Sequence, residues 1–506
     1  MARKFRIYYT SDTHGHIFPV NYAGNCPEDS GLLNIAQELE KDGNTLVLDG
    51  GDSLQGTPLT QFYLEHRDSW KPHPVAAAFN AMGLDCFTLG NHDFNFGYEA
   101  LRGYIDAMEA ECLCANLVDL GGELRIRPWA LRRLENGLRV GITGVVTDFV
   151  NVWEQPQNLE KLRITDAFEA AKLALEQLAP LCDLSVCIYH GGFEEELDTG
   201  RVLSGSGENI ACRIARELDY DLLLTGHQHM AVEGVELGGT YAVQPPANAG
   251  EYLLLNGLEE AGRIRFKSRL LRAGGEHGQE PYARLLPLEE EVQRWLDSPV
   301  GVLEIPLPPE GKLEAALCGS RVAELFNRVQ LDATGADFSC TSLGNDPVGL
   351  SSPVTMRGIT AAYLFANTLV VLEVTSEVLR SCLERCAAYF TLRDGKPEVS
   401  EAFLLPKIEH YNYDFYSGLH YTFDLRRPVG SRVVALTLPD GSPLGPGKYR
   451  LVTSNYRATG TGGYHALRRC PVLWRGGTEM PDLTAAYVRR HSPMSIGRCG
   501  PQRVLW

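Results

Sequence analysis

Five histidines, two aspartates and an asparagine fall in one kind of place along this chain, directly after a short apolar or β-branched run. Asp12 and His14 follow residues 5–10 (FRIYYT), Asp52 follows the LVL of residues 46–48, and Asn91 and His92 follow residues 86–89. His190 follows residues 184–189 (LSVCIY), and His227 and His229 follow the three leucines of residues 222–224. Neutral imidazoles mixed with carboxylates suit borderline divalent ions such as Mn, Zn or Fe better than thiol-loving or all-oxygen sites do. Seven ligands are too many for one tetrahedral ion and about right for two ions that share a bridging carboxylate. The densest stretch, residues 88–97 (TLGNHDFNFG), sets three polar side chains behind a glycine with no spacer. Taken alone it reads as a turn, because Asn and Asp are ordinary turn residues after glycine; in the company of the other blocks it reads as a site.

The elements that must position these residues alternate. Residues 5–10 and 46–48 read as strands, with a helix between them whose Leu32, Ile35, Ala36 and Leu39 recur at i, i+3, i+4 and i+7, Ser30 as its N-cap and Gly43 as its end. Residues 75–82 read as a helix and residues 139–146 as a buried strand. Thr165 caps a helix that shows Phe168, Ala171, Leu175 and Leu178 on one face, and strands at 184–189 and 222–224 follow. Strand and helix in alternation imply an α/β layered domain, and polar residues at successive strand ends gather along one edge of its sheet.

Length and composition bound the rest. A chain of 506 residues with 44% hydrophobic content exceeds what one core serves, so two domains are expected. A net charge of −17 with no long Lys/Arg run argues against a nucleic-acid polymer or an anionic membrane as the main partner. No apolar run approaches the roughly 20 residues of a membrane span. Thirteen cysteines, an odd number scattered over the chain, fit a reducing compartment, and with a first strand starting at Phe5 the expected location is cytoplasmic.

The ordered blocks DTHGH, GDSLQG, GNHDFNFG, YHGGFE and GHQH resemble the calcineurin-type metallophosphoesterases, in the branch that contains 5′-nucleotidases and 2′,3′-cyclic-nucleotide 2′-phosphodiesterase/3′-nucleotidases. The resemblance implies a four-layer α/β/β/α metallophosphoesterase domain at residues 1–310 and a second α/β domain of the 5′-nucleotidase C-terminal type at 311–506, with a connecting helix at about 313–329. By position, Asp12, His14, Asp52 and His229 would hold one ion and Asp52, Asn91, His190 and His227 the other, Asp52 bridging. His92 would face the phosphate and act as general acid. The family's 5′-nucleotidases support that histidine with an Asp three residues on; here the position is Asn95, as in the cyclic phosphodiesterase/3′-nucleotidase subgroup. Asp93 is expected to cap the turn or to support the ligands from behind.

In the second domain, residues 357–383 resemble the YxxxNTL region of that subgroup, and two aromatic rings that sandwich the base would fall on Tyr413 and Tyr464. Arg457 and Arg357 are candidate phosphate or ribose contacts. The Asn-Gly-Gly and Arg run of the 5′-nucleotidases is replaced by SLGNDP at residues 342–347. The resemblance thus implies two-ion hydrolysis of nucleotide phosphate esters, cyclic and 3′ ahead of 5′. The other class left open is a non-catalytic nucleotide-binding or interaction protein.

Overall fold

Phe5, Ile7 and Tyr9 alternate along the strand Arg3–Thr10 and are buried on one face, so the strand lies on a core rather than in the middle of one layer. It is the pivot of a seven-stranded sheet in the order Arg263–Arg272, Glu251–Glu260, Arg3–Thr10, Thr45–Asp49, Cys86–Phe87, Glu111–Leu113 and Ile126–Arg127. From Arg3–Thr10 to Ile126–Arg127 the pairing is parallel; towards Glu251–Glu260 it turns antiparallel. A six-stranded sheet, centred on the parallel strands Arg139–Val146, Leu184–His190 and Leu222–Thr225, packs against it. Their shared core joins Phe5, Ile7, Tyr9, Leu46 and Leu48 to Val140, Ile142, Val186, Ile188, Leu222 and Leu224.

Helices cover the outer faces. Ala167–Leu178 and Ala211–Glu217 bury Phe168, Ala171 and Ile214 against Val145, Cys187, Tyr189 and Leu223 of the six-stranded sheet. Helices Leu32–Glu38 and Pro74–Met82 pack on one another and bury Leu33, Ile35, Val75 and Phe79. The result is the expected helix, sheet, sheet, helix layering. Two caps differ from expectation: Asp166, one residue on, accepts the Glu169 N–H in place of Thr165, and Gly31 precedes the first helix with no side-chain cap from Ser30.

The computed structural model describes residues 2–203, 207–274, 282–365, 367–405 and 408–506, in two compact units that divide between Val292 and Gln293. The second unit carries a five-stranded sheet, in the order Asp414–Ser417, Phe338–Ser342, Lys448–Ser454, Leu369–Thr375 and Val472–Arg475. The single helix expected at about 313–329 is two, Lys312–Cys318 and Arg321–Thr334, because Gly319 lies at φ +83°, a left-handed conformation that ends a helix, and Ser320 caps the next one. No helix among the described residues is long and apolar enough to cross a membrane.

Candidate metal centre

Parallel pairing is what assembles the site. Thr10 lies beside Asp49 and Asp49 beside Phe87 in one sheet, and Tyr189 beside Thr225 in the other, so all five polar turns leave the same edge of the sandwich. The turns are then tied to each other by backbone: Asp12 N–H donates to Gly51 O at 2.8 Å and His14 N–H to Asp52 O at 2.9 Å. Across the sandwich, His227 N–H donates to the Asp12 carboxylate at 2.9 Å.

Asp93 locks the two central turns together. Its buried carboxylate accepts N–H groups from Gly90, Asp52, Ser53 and Leu54, all at 2.8–2.9 Å. Burial, with the neighbouring Asp52 charge, pushes its pKa up to about 6 in spite of those four donors. The turns also need to touch: a Cβ on Gly90 would stand 2.1 Å from Asp52 Oδ1, which only a glycine avoids.

Local strain marks the ligand positions. Asp12, His14, Asp52, His227 and His229 all adopt positive φ, between +48° and +71°, although none is glycine. A left-handed L-residue costs about 1–2 kcal/mol. Five such residues converging on one place is the pattern of a functional constraint held by the surrounding fold.

Two clusters result. In the first, His14 Nδ1 donates to Gln55 O at 2.8 Å, which leaves its Nε2 as a bare lone pair, 3.1 Å from His229 Nε2; His229 Nε2 lies 3.4 Å from Asp12 Oδ1. In the second, His190 Nδ1 donates to Gly50 O at 2.7 Å, so Nε2 is the nitrogen that faces Asp52 Oδ2 at 3.2 Å and Asn91 Oδ1 at 3.3 Å. His227 Nδ1 is 2.8 Å from the same Asn91 oxygen. The ligand atoms of Asp12, His14 and His229, and of Asp52, His190 and His227, lie within 4.8 Å of one another in each group.

Lone pairs that face lone pairs need a proton or a cation between them. The electrostatics express that demand: burial opposes charge on His190, yet Asp52 and Asp12 outweigh it and raise its pKa to about 10. The Asp52 carboxyl is held well below the ordinary range against its own burial, chiefly by the charge on His190. Burial instead lowers His14 to about 3, so its Nε2 stays bare. The donor set therefore fits divalent ions. Asp12, Asp52 and His190 are fully enclosed while His229 is 38% exposed, so the cluster opens on the His229 side.

His92 belongs to neither group. Its N–H donates to Asp52 Oδ1 at 2.7 Å, its Nδ1 is 2.8 Å from Asn95 Oδ1, and its ring stands 5.5 Å from that of His14. The expected neighbours are thus together, and three more that the sequence does not announce join them. Trp153 stacks on His227 at 5.4 Å and 19°, Glu208 Oε1 lies 3.1 Å from His227 Nε2, and Glu154 lies behind Asn95. Trp153 ends the one-turn helix Val150–Trp153 and the two glutamates sit in loops, so no periodicity or strand end points to them.

The second-unit candidates are a correction. Tyr413 is buried, its hydroxyl donating to Ala316 O at 3.0 Å and its ring packed on Tyr389 and Phe415. Tyr464 is buried too, with its hydroxyl on Asn412 O at 3.0 Å. Arg457 pairs with Asp414 at 2.9 Å, its guanidinium 4.2 Å from the Tyr464 ring. Arg357 donates to Asp297 Oδ1 and Gln293 Oε1, each at 2.7 Å. Arg457 and Tyr464 are taken up by the buried Asp414, whose carboxylate pairs with Arg457 and whose N–H donates to the Tyr464 hydroxyl at 3.2 Å, while Asn412 Oδ1 accepts from Arg457 at 3.3 Å. Among the described residues, exposed rings of this unit include Phe365, with Tyr411 6.4 Å away and inclined at 63°, Trp474 and Trp506.

Comparison with known proteins adds independent evidence. The calcineurin-like phosphoesterase model matches residues 5–231, and the 5′-nucleotidase, C-terminal domain model matches residues 310–469. The trifunctional nucleotide phosphoesterase protein YfkN of Bacillus subtilis is 24% identical over 95% of this chain, which spans only 37% of YfkN. A 2′,3′-cyclic-nucleotide 2′-phosphodiesterase/3′-nucleotidase of Haemophilus influenzae is 24% identical over 96% of this chain and 84% of its own. Among solved structures, a protein of Staphylococcus aureus described as a candidate 5′-nucleotidase, crystallised with α-ketoglutarate, superposes with a TM-score of 0.91 at 28% identity, covering 100% of both chains. Domain order, layered fold and clustered residues agree, and the chain carries a calcineurin-like phosphoesterase domain followed by a 5′-nucleotidase C-terminal domain.

Proposed function

We propose that this protein hydrolyses phosphate esters of nucleotides with two divalent ions, acting on 2′,3′-cyclic nucleotides and 3′-nucleotides ahead of 5′-nucleotides. The observation that carries the reading is the pair of lone-pair clusters, tied to each other where the His14 N–H of the first donates to Asp52 O of the second, with the His92 ring beside them. Asp12, His14, Asp52 and His229 would hold one ion, and Asp52, Asn91, His190 and His227 the other. Bound there, the ions would supply Lewis-acid charge for the phosphoryl oxygens and lower the pKa of a water. The chain's own part is positional. Asp93 holds the Asp52 and Asn91 turns in register, Trp153 and Glu208 fix the His227 ring, and His92 delivers a proton to the departing oxygen.

The preference for cyclic and 3′ substrates rests on Asn95, an amide where the 5′-nucleotidase pattern has a carboxylate, and on names such as that of the Haemophilus influenzae relative. The domain limits of 1–310 and 311–506 are part of the proposal, supported by a C-terminal family match that begins at residue 310. So is a reducing, intracellular setting, supported by thirteen cysteines with no disulfide among them.

A panel of 2′,3′-cyclic AMP, 3′-AMP and 5′-AMP with added Mn²⁺ tests the substrate. The expected order of kcat/KM is cyclic, then 3′, then 5′; a preference for 5′-AMP would transfer the assignment to 5′-nucleotidase. Failure to turn over p-nitrophenyl phosphate or its bis ester under any metal would favour a non-catalytic binding protein.

The His190 pKa gives a second expectation. With a folded value near 10, His190 carries a proton at neutral pH that an ion must displace. Ion binding at pH 7–8 is therefore expected to release about one proton per second-site ion, and the apparent affinity to weaken about tenfold per pH unit of acidification. Titration calorimetry in buffers of different ionisation enthalpy measures it, and a buffer-independent heat would contradict it.

A further inference from the structure

The turn after the strand Arg139–Val146 supplies two braces to the site from adjacent residues. Trp153 stacks on His227, and Glu154 Oε2 accepts the Asn95 amide Nδ2–H at 2.7 Å. The other Glu154 oxygen is taken up within its own loop, accepting Gln155 N–H at 2.7 Å and Asn158 Nδ2–H at 2.8 Å. Asn158 Nδ2 also reaches Asn95 O at 3.0 Å, which closes the loop onto the His92 turn.

We propose that Glu154 is a positioning residue for His92: it pins the Asn95 amide with Oδ1 towards His92 Nδ1–H, the orientation that accommodates the doubly protonated ring whose Nε2–H is offered to a leaving group. The inference rests on the reading of His92 as proton donor. An amide has two ends of opposite character, and an isolated asparagine beside an imidazole can turn either end to it. A carboxylate has only acceptors. With Glu154 against Nδ2, the NH₂ end of Asn95 is committed, so Oδ1 is the end that meets His92 Nδ1 at 2.8 Å. Nδ1 must then carry a hydrogen, and Nε2 is the nitrogen left for the site. In the doubly protonated ring this holds without conflict, whereas a flipped amide would set NH₂ against Nδ1–H.

The carboxylate absent at position 95 is thus present one hydrogen bond further out, so that His92, Asn95 and Glu154 form a chain of donor, amide and acceptor. A direct consequence concerns Asn95→Asp. It restores the residue of the 5′-nucleotidase pattern but sets two carboxylates against each other across a contact that measures 2.7 Å between amide and carboxylate. It should harm this protein unless Glu154 changes too.

The test uses Glu154→Ala, Asn95→Asp and the double variant Asn95→Asp/Glu154→Gln, in which the amide and the acid trade places. Glu154 is half-buried in a loop, so the fold should tolerate these changes. Glu154→Ala is expected to lower kcat on nucleotide substrates about tenfold, with KM and ion content unchanged, and to lower it about threefold or less on p-nitrophenyl esters, whose leaving group needs little protonation. Asn95→Asp alone should fall below the double variant. In the metal-free protein, ¹⁵N shifts of the His92 ring should report Nδ1–H in the parent and a mixture shifted to Nε2–H in Glu154→Ala.

An unchanged substrate ratio together with an unchanged ring pattern in Glu154→Ala overturns the proposal, as does equal activity of Asn95→Asp with and without Glu154→Gln. If the kinetics show instead that His92 donates no proton, that reading falls separately. The ring shifts still decide the pinning: retained Nδ1–H in Glu154→Ala refutes it, and a move to Nε2–H upholds it.

Discussion

Asp52→Ala is expected to abolish measurable hydrolysis and to yield protein that retains neither ion. Asp52 is the carboxylate proposed to bridge the two halves: Oδ2 stands 3.2 Å from His190 Nε2, and its backbone O accepts the His14 N–H at 2.9 Å, which ties it to the first cluster. Without it, four imidazoles, one amide and one aspartate would have to hold two dications with no negative charge between them, and their mutual repulsion would go unscreened. The substitution also frees the His92 turn and places an alanine at φ +57°. Asp52→Asn separates these effects, since it keeps the shape and an acceptor for His92 N–H but removes the charge. It is expected to retain at most the first-cluster ion. Elemental analysis of each purified variant decides the matter, and two ions at full occupancy in Asp52→Ala would refute the bridging role.

The centre was legible in the sequence because of how a parallel sheet works. Each buried strand reads as an apolar run, all such strands end at the same sheet edge, and a polar residue just past the run must therefore lie on that edge. That reasoning places Asp12, His14, Asp52, Asn91, His92, His190, His227 and His229 together from their positions alone, and the structure brings them together. Nothing comparable marks Trp153, Glu154 or Glu208. They lie in a four-residue helix, too short to show a period, and in loops, and they matter only through what they touch.

The second unit shows the opposite failure. Tyr413 and Tyr464 carry the family's positions, but sequence spacing says nothing about which side of a loop is inside. Here the burial of Asp414 with Arg457 settles it. Residue 319 is a smaller case: the apolar positions of 313–329 fit one helix, yet a left-handed glycine divides it.

The His92 substitutions carry the other large effect. His92→Gln or His92→Ala is expected to cut kcat on nucleotide substrates about a hundredfold or more, about 2.7 kcal/mol of barrier, while ion content stays normal. Normal ion content follows from geometry. The His92 side chain is tied to Asn95 and meets the ligand set only as a ring 5.5 Å from His14, while its backbone N–H, which every substitution except proline keeps, is what contacts Asp52. The loss should shrink as the leaving group improves, because p-nitrophenolate departs without a proton whereas a ribose hydroxyl does not. A plot of log kcat/KM against leaving-group pKa should therefore be steeper for the variant than for the parent. Parallel lines would mean that His92 binds the phosphoryl group in ground and transition states alike and transfers no proton, and the donor to the departing oxygen would have to be sought elsewhere on the open, His229 side of the centre.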